Sequence, residues 1–185
     1  MRIISGSARG RRLKEPQGME TRPTTDKVKE SLFNIIQFEV EGRRVLDLFA
    51  GTGQLGLEAL SRGAEHCVFV DQRREAAALV RENIKLCRFE DRAQVVQEEA
   101  QWFLRSCKER FDVIFLDPPY GTNLLEQCVE KIARFDILRE HGIIVCESKA
   151  EWSAPALETP YETGREYRYG QVKLTVCRRA GSVIR

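Results

Sequence analysis

Four consecutive residues, Asp117-Pro118-Pro119-Tyr120, end the run FDVIFLDPPY and place a carboxylate, a stiff turn and an aromatic ring side by side. The apolar residues Phe111 to Leu116 read as a short strand. A Pro pair cannot extend a central strand, because neither nitrogen has a hydrogen to give the ladder. The strand therefore stops at Asp117, and in α/β sheets the crevice outside the strands' carboxyl ends is where ligands bind. An Asp in that position can accept hydrogen bonds from an amine while a ring stacks on the flat group that carries it. A nucleobase fits this description, and so does any other planar amide or amine.

A second stretch with chemical potential is Gly51-Thr52-Gly53-Gln54-Leu55-Gly56, which sits between an apolar strand at Val45 to Phe49 and a helical run from Leu57 to Arg62. Asp71 stands at the end of the next strand, Cys67 to Val70, twenty residues beyond Gly51. Such glycines admit a cofactor close to the backbone and such an acid binds ribose hydroxyls, a pattern shared with dinucleotide-binding folds. Two features favour S-adenosylmethionine over a nicotinamide dinucleotide. Asp47 lies inside the strand just before the loop, where its carboxylate could reach the cofactor's α-amino group, and a dehydrogenase has no use for an acid-Pro-Pro-Tyr exit. VLDLFAGTGQLGLEAL resembles the first motif of class I methyltransferases, and DPPY resembles their amine-directed catalytic motif. On this reading Phe49, Gly51 and Gly53 border the cofactor, Asp71 holds the ribose, and Glu99-Ala100 meets the adenine edge. Glu99 can equally serve as a helix cap.

Methyl transfer from a sulfonium to an exocyclic amine needs the nitrogen lone pair aimed along the sulfur–methyl axis. Conjugation with the ring makes that lone pair poor. Hydrogen bonds from the amine to Asp117 and to the Pro118 carbonyl would turn it toward the methyl group and stabilise the developing positive charge. Tyr120 would stack on the base, a contact worth roughly 1–3 kcal/mol in nucleic-acid systems. A base in a structured polymer must be flipped out or already unpaired to reach such a site. No metal is required.

The elements that must position these residues are legible as an alternation. Residues 26–38 read as an amphipathic helix carrying Val28, Leu32, Ile35 and Ile36, and residues 2–7 as a short strand followed by a basic turn. Beyond residue 44, strands at 45–49, 67–70, 94–97, 111–116 and 142–146 alternate with helices, and two late strands without a helix between them suggest a terminal hairpin. Nearly continuous apolar strands separated by helices predict a mostly parallel sheet covered on both faces. The chain is expected to divide into an N-terminal basic hairpin and helix over 1–40 and a main domain over 41–185. At 185 residues with 42% apolar composition, it can bury one good core.

Charge is unevenly spread. Residues 1–29 carry eight Lys/Arg against three Asp/Glu, residues 30–164 sixteen against twenty-four, and residues 165–185 six against one. Basic termini around an acidic middle suggest a polyanion held by the ends of the chain. Arg9, Arg11, Arg12, Lys14 and Arg22 are cations available to such a polyanion, and the forked donors of Arg11 and Arg12 suit its phosphates. The six cysteines are scattered singly and there are two histidines, which argues against a structural zinc and against a disulfide framework. With no transmembrane run and no signal core, a soluble cytoplasmic protein is expected.

Over nearly its whole length the chain resembles the RsmD family of ribosomal RNA guanine-N2 methyltransferases. The resemblance rests on RIISGSARGRRL, RPTTDKVKESLFNII, LDLFAGTGQLGLEALSRGA, FVDQRREA, DPPYG and YRYGQVKLTVCRR. It implies a Rossmann-like seven-stranded sheet in the order 3-2-1-4-5-7-6 with the last strand antiparallel. It also implies methyl transfer from S-adenosylmethionine, leaving S-adenosylhomocysteine, to the N2 amine of guanine 966 in 16S rRNA. The substrate would be the assembled or partly assembled small ribosomal subunit, and the enzyme a monomer. Asp117 to Tyr120 match the catalytic motif; Asp47, Gly51 and Gly53 the methionine side of the pocket; and Asp71 the ribose acid. Arg22, Pro23 and Thr24 match a segment near the site, which makes Thr24 a candidate cofactor contact, and Arg9 to Arg12 match the RNA-facing hairpin. Two positions depart from the family: Arg73 stands where Asp or Asn is common, and Glu99 takes the adenine position. Three alternatives stand beside this reading. They are an adenine-N6 methyltransferase on DNA or RNA, a glutamine methyltransferase acting on a release factor, and a non-catalytic RNA-binding protein of small-subunit assembly.

Overall fold

Apolar strands and amphipathic helices do alternate along the chain. In the computed structural model, which describes residues 1–17 and 26–181, they build a single seven-stranded sheet. In chain order the elements are α1 (Asp26–Ile35), β1 (Arg44–Asp47), α2 (Gln54–Ser61), β2 (His66–Val70), α3 (Arg74–Cys87), β3 (Ala93–Val96) and α4 (Ala100–Ser106). They continue with β4 (Phe111–Leu116), α5 (Leu124–Arg134), β5 (Leu138–Lys149), β6 (Tyr161–Tyr169) and β7 (Val172–Arg179). The strand order is β3-β2-β1-β4-β5-β7-β6, as expected. Strands β1 to β5 pair in parallel, and β7 runs antiparallel to both of its neighbours.

The two-residue period of a strand sends alternate side chains to opposite faces, and both faces are covered. Val45, Phe69, Val113, Phe115 and Val145 pack with Leu32 and Phe33 of α1, Leu57 of α2 and Val80 of α3. Leu46, Val68, Ile114, Leu116 and Ile144 pack with Phe103 and Leu104 of α4 and with Val129 and Ile132 of α5. This double burial is why the strands read as continuous apolar runs. Helix α1 crosses β4 through Phe33, whose ring centroid lies 5.7 Å from that of Phe115, and the Arg62 guanidinium covers Phe33 at 4.7 Å.

The N-terminal segment joins the same core, with Ile3, Ala8 and Leu13 buried among the residues of α1 to α3. Residues 2–7 do not form the expected strand, and a single antiparallel bridge, Arg2 to Arg12, remains. Ile3 N donates to Arg11 O beside that bridge, but the donors of Ile4, Ser5, Ser7 and Ala8 go to α2. Glu58 accepts from Ile4 N and Ser5 N at 2.9 and 3.0 Å, and Ser61 accepts from Ser7 N through its carbonyl and from Ala8 N through its hydroxyl.

Several boundaries also differ from expectation: β1 ends at Asp47, α2 starts at Gln54 and β5 runs on to Lys149. Helix α1 ends at Ile35, leaving Phe38 exposed in the turn toward β1. Strand β5 begins at Leu138, four residues early, because the pairing with β4 resumes after a bulge. Phe111 pairs with Leu138 and Val113 with Ile143, and the exposed residues 139–141 between them, including His141 at φ 61°, break the apolar pattern.

Candidate active site

Strands β2, β1 and β4 are neighbours and parallel, so their carboxyl ends open on one side of the sheet. Asp71, Asp47 and Asp117 stand at those ends. Strand order alone thus brings these strand ends together, with Asp117 partly exposed there and Asp47 and Asp71 buried.

Between Asp47 and α2 the chain makes the glycine loop. Ala50 N donates to Val70 O at 2.9 Å and Gly53 N to Ala50 O at 2.7 Å, which fixes the loop over the end of β2. Gly51 and Gly53 hold φ of 58° and 81°, a left-handed region that costs glycine nothing. A Cβ on Gly51 would meet nothing within 4 Å, so open space lies directly above it. At Gly56 the need is different: a Cβ would come within 2.3 Å of the Phe69 ring, because α2 lies tight against β2.

Asp47 is 2% exposed, and its Oδ2 accepts from Gly56 N at 3.0 Å. It therefore pins the start of α2 beneath the loop. Burial pushes its carboxyl up to about 7; the Gly56 N–H draws it back, and the nearby Asp71 adds repulsion. Because the folded-state value lies above the unfolded one near 3.8, the stabilising contribution is complete below that pH and disappears as pH climbs through about 7. Asp47→Asn keeps an oxygen for Gly56 N but cannot ionise. Denaturation of both proteins from pH 4 to 8 is expected to show the variant gaining on the parent, by on the order of 4 kcal/mol across the range. A constant difference would mean that Asp47 does not titrate there.

Asp71, 9% exposed, accepts from Gly51 N at 3.0 Å and from Arg73 N at 2.9 Å. The Arg73 side chain adds two further donors, Nε at 3.2 Å and Nη2 at 3.3 Å. Glu99 caps α4, its side chain accepting from Gln101 N at 3.2 Å, and Ala100 is buried behind it. The same Glu99 borders a cleft of about 300 Å³ with Gln101, Trp102, Arg105 and Lys131. Phe49 is partly buried against the α4–α5 core.

On the far side of β1, Asp117 is partly exposed, Pro118 is buried and Pro119 is exposed. The turn is closed by the Thr122 hydroxyl, which donates to Pro119 O at 3.0 Å, and Gly121 follows Tyr120 at φ 79°. The Lys149 ammonium, from the last residue of β5, lies 6.0 Å from the centroid of the partly buried Tyr120 ring.

The expected RNA contacts divide. Arg9 and Arg12 are exposed. The Arg11 guanidinium donates to Leu86 O, and Lys14 pairs with Glu82 at 2.7 Å, so both also fasten the N-terminal segment to α3. Arg22 and Thr24 lie outside the described residues, as does Pro23. Asn83, which sequence reading passed over, is fully buried and bonds Lys14 through both backbone groups and the glycine-loop residue Thr52 through its carbonyl. Its signal was a polar residue on the apolar stripe of α3, between Val80 and Ile84. Lys149 carried no comparable signal, because nothing in a strand pattern tells where its last side chain falls.

A Gly51 that leaves space above its backbone and an acid beside it at the end of β2 fit an adenosyl cofactor. Comparison with known proteins places the chain among methyltransferases. The family described as Conserved hypothetical protein 95 matches residues 1–178. A Bacillus subtilis protein, YlbH, described as a candidate rRNA methyltransferase, is 44% identical over 98% of this chain and 100% of its own length. Ribosomal RNA small subunit methyltransferase D of Escherichia coli is 35% identical over 93% of this chain and 86% of its own. The solved structure of the Escherichia coli candidate methyltransferase yhhF superposes with a TM-score of 0.89 at 32% identity, covering 98% of this chain and 99% of that one.

Proposed function

The chain belongs to the RsmD family of rRNA methyltransferases, and from that premise we propose that it methylates the exocyclic N2 amine of guanine 966 in 16S rRNA of the small ribosomal subunit. The observation that carries methyl transfer to an amine is the juxtaposition of two half-sites, and the choice of guanine rests on the family resemblance. An acid, a rigid turn and a ring close β4, while a glycine loop flanked by Asp47 and Asp71 closes β1 and β2 beside it.

S-adenosylmethionine, when bound, supplies an electrophilic methyl group on a sulfonium. The residues of the chain supply position. Asp71 accepts from the ribose hydroxyls, Gly51 and Gly53 leave clearance for the cofactor, and Asp47 holds the loop rigid from below. Asp117 and the Pro118 carbonyl accept from the two amine hydrogens, which orients the lone pair and stabilises positive charge as the new bond forms. The proton can leave after alkylation, so Asp117 need not be a strong base. Tyr120 stacks on the extruded base, and the Lys149 ammonium beyond it suits a neighbouring phosphate.

The test is mass spectrometry of ribosomal RNA from a deletion strain, with purified protein and S-adenosylmethionine added back to its small subunits. One missing N2-methylguanine, restored by the protein, is expected. A missing N6-methyladenine would reassign the base, and an unaltered RNA would leave a binding role in subunit assembly.

A further inference from the structure

The Asp71 carboxylate is fully subscribed within the protein. A carboxylate offers about four lone-pair sites, and here each oxygen meets one backbone donor and one guanidinium donor. Oδ1 takes Arg73 N at 2.9 Å and Arg73 Nε at 3.2 Å; Oδ2 takes Gly51 N at 3.0 Å and Arg73 Nη2 at 3.3 Å. The two backbone donors are fixed by the glycine loop and by the turn into α3. Only the guanidinium is held by a flexible stem, and the Arg73 side chain is 53% exposed against 9% for Asp71. The fork lies across both oxygens in the two-point manner in which a vicinal diol would donate to them.

We infer that Arg73 competes with the cofactor's ribose for Asp71, so that the guanidinium must swing off the carboxylate for the adenosyl group to bind. This rests on the proposed cofactor site and adds to it a residue that sets affinity. The Arg73 side chain lowers affinity for substrate cofactor and spent cofactor alike, since both carry the same diol, and thereby speeds release of the product. An Asp or Asn at this position would lack the fork, which makes this chain a weaker cofactor binder than its fold would otherwise allow. An Arg–carboxylate pair with one exposed partner is worth little enough that the effect is moderate. Its forked, charge-assisted geometry places it at the upper end of that range.

The experiment is calorimetry of the full-length protein and of R73Q with S-adenosylhomocysteine and with its 2′,3′-dideoxyribose analogue. R73Q should bind S-adenosylhomocysteine roughly three- to tenfold more tightly, with the analogue's affinity unchanged. Arg73 N, a backbone group, remains on Asp71 in the variant, and R73K, which keeps charge but not the fork, should fall between the two. Equal or weaker binding of S-adenosylhomocysteine by R73Q would overturn the inference while leaving the cofactor site in place. Failure of both proteins to bind S-adenosylhomocysteine would overturn the cofactor site itself, and equal binding of the two ligands by R73Q would remove Asp71 from it.

Discussion

Asp117→Ala is expected to lose methyl transfer by about 10²–10³-fold or more while its affinity for S-adenosylhomocysteine stays within about twofold of the parent. The split follows from position. Asp117 closes β4 on one side of β1, whereas the glycine loop and Asp71 belong to the β1 and β2 side. Its loss removes an acceptor for the target amine without touching a group assigned to the cofactor. The turn itself should persist, because Pro118 is buried and Thr122 holds Pro119 O independently of the carboxylate. Asp117→Asn keeps an oxygen to accept from the amine but drops the charge, so it should retain more rate than the alanine variant. The residual rate then measures how much of the effect is orientation and how much is electrostatic. Methyl incorporation and calorimetry on the same preparations make the comparison. A parallel fall in rate and affinity would put Asp117 in the cofactor pocket and sink the catalytic assignment.

What could be read in advance was whatever local rules determine. Two prolines stop a strand wherever they occur, so Asp117 was located at a strand exit from four letters. Continuous apolar runs between helical stretches implied parallel pairing with both faces buried, and strand order then gathered Asp47, Asp71 and Asp117. Interactions that depend on distant partners stayed hidden. Residues 2–7 have the composition of a strand, yet the N–H groups of Ile4, Ser5 and Ser7 go to Glu58 and Ser61, more than fifty positions away. The basic run looked uniform, but Arg11 and Lys14 reach α3 while Arg9 and Arg12 face solvent. Arg73 was visible as a departure from its family only; that its guanidinium lies on Asp71 required the turn geometry. The early start of β5 was hidden for a similar reason, since a bulge over 139–141 inserts polar residues into a strand without ending its pairing.

The second large effect concerns how the basic N-terminal segment is held. Glu58 and Lys29 are both fully buried, with Nζ and Oε2 3.6 Å apart, and the Lys29 ammonium also donates to Arg2 O at 2.6 Å. Burial pulls the Lys29 pKa below the lysine norm, and the Glu58 charge pulls it back. Glu58 accepts in addition from Ile4 N, Ser5 N and, at 2.9 Å, Arg62 Nε. One carboxylate thus joins the N-terminal segment, α1 and α2. Removing one partner of a buried pair strands the other charge, at a cost of about 3–5 kcal/mol. Glu58→Ala should therefore lose roughly that much stability in denaturant titrations, with two backbone N–H groups orphaned as well. Glu58→Gln keeps an acceptor for Ile4 and Ser5 but not the charge, so the gap between the variants separates anchoring from ion pairing. In both, trypsin should cut after Arg9, Arg11 and Arg12 faster than elsewhere, because the segment detaches before the sheet unfolds. Since Asn83 links this segment to the glycine loop, its detachment should weaken cofactor binding along with RNA binding. A Glu58→Ala protein within 0.5 kcal/mol of the parent and equally resistant to trypsin would show that the apolar contacts of Ile3, Ala8 and Leu13 suffice to hold the segment.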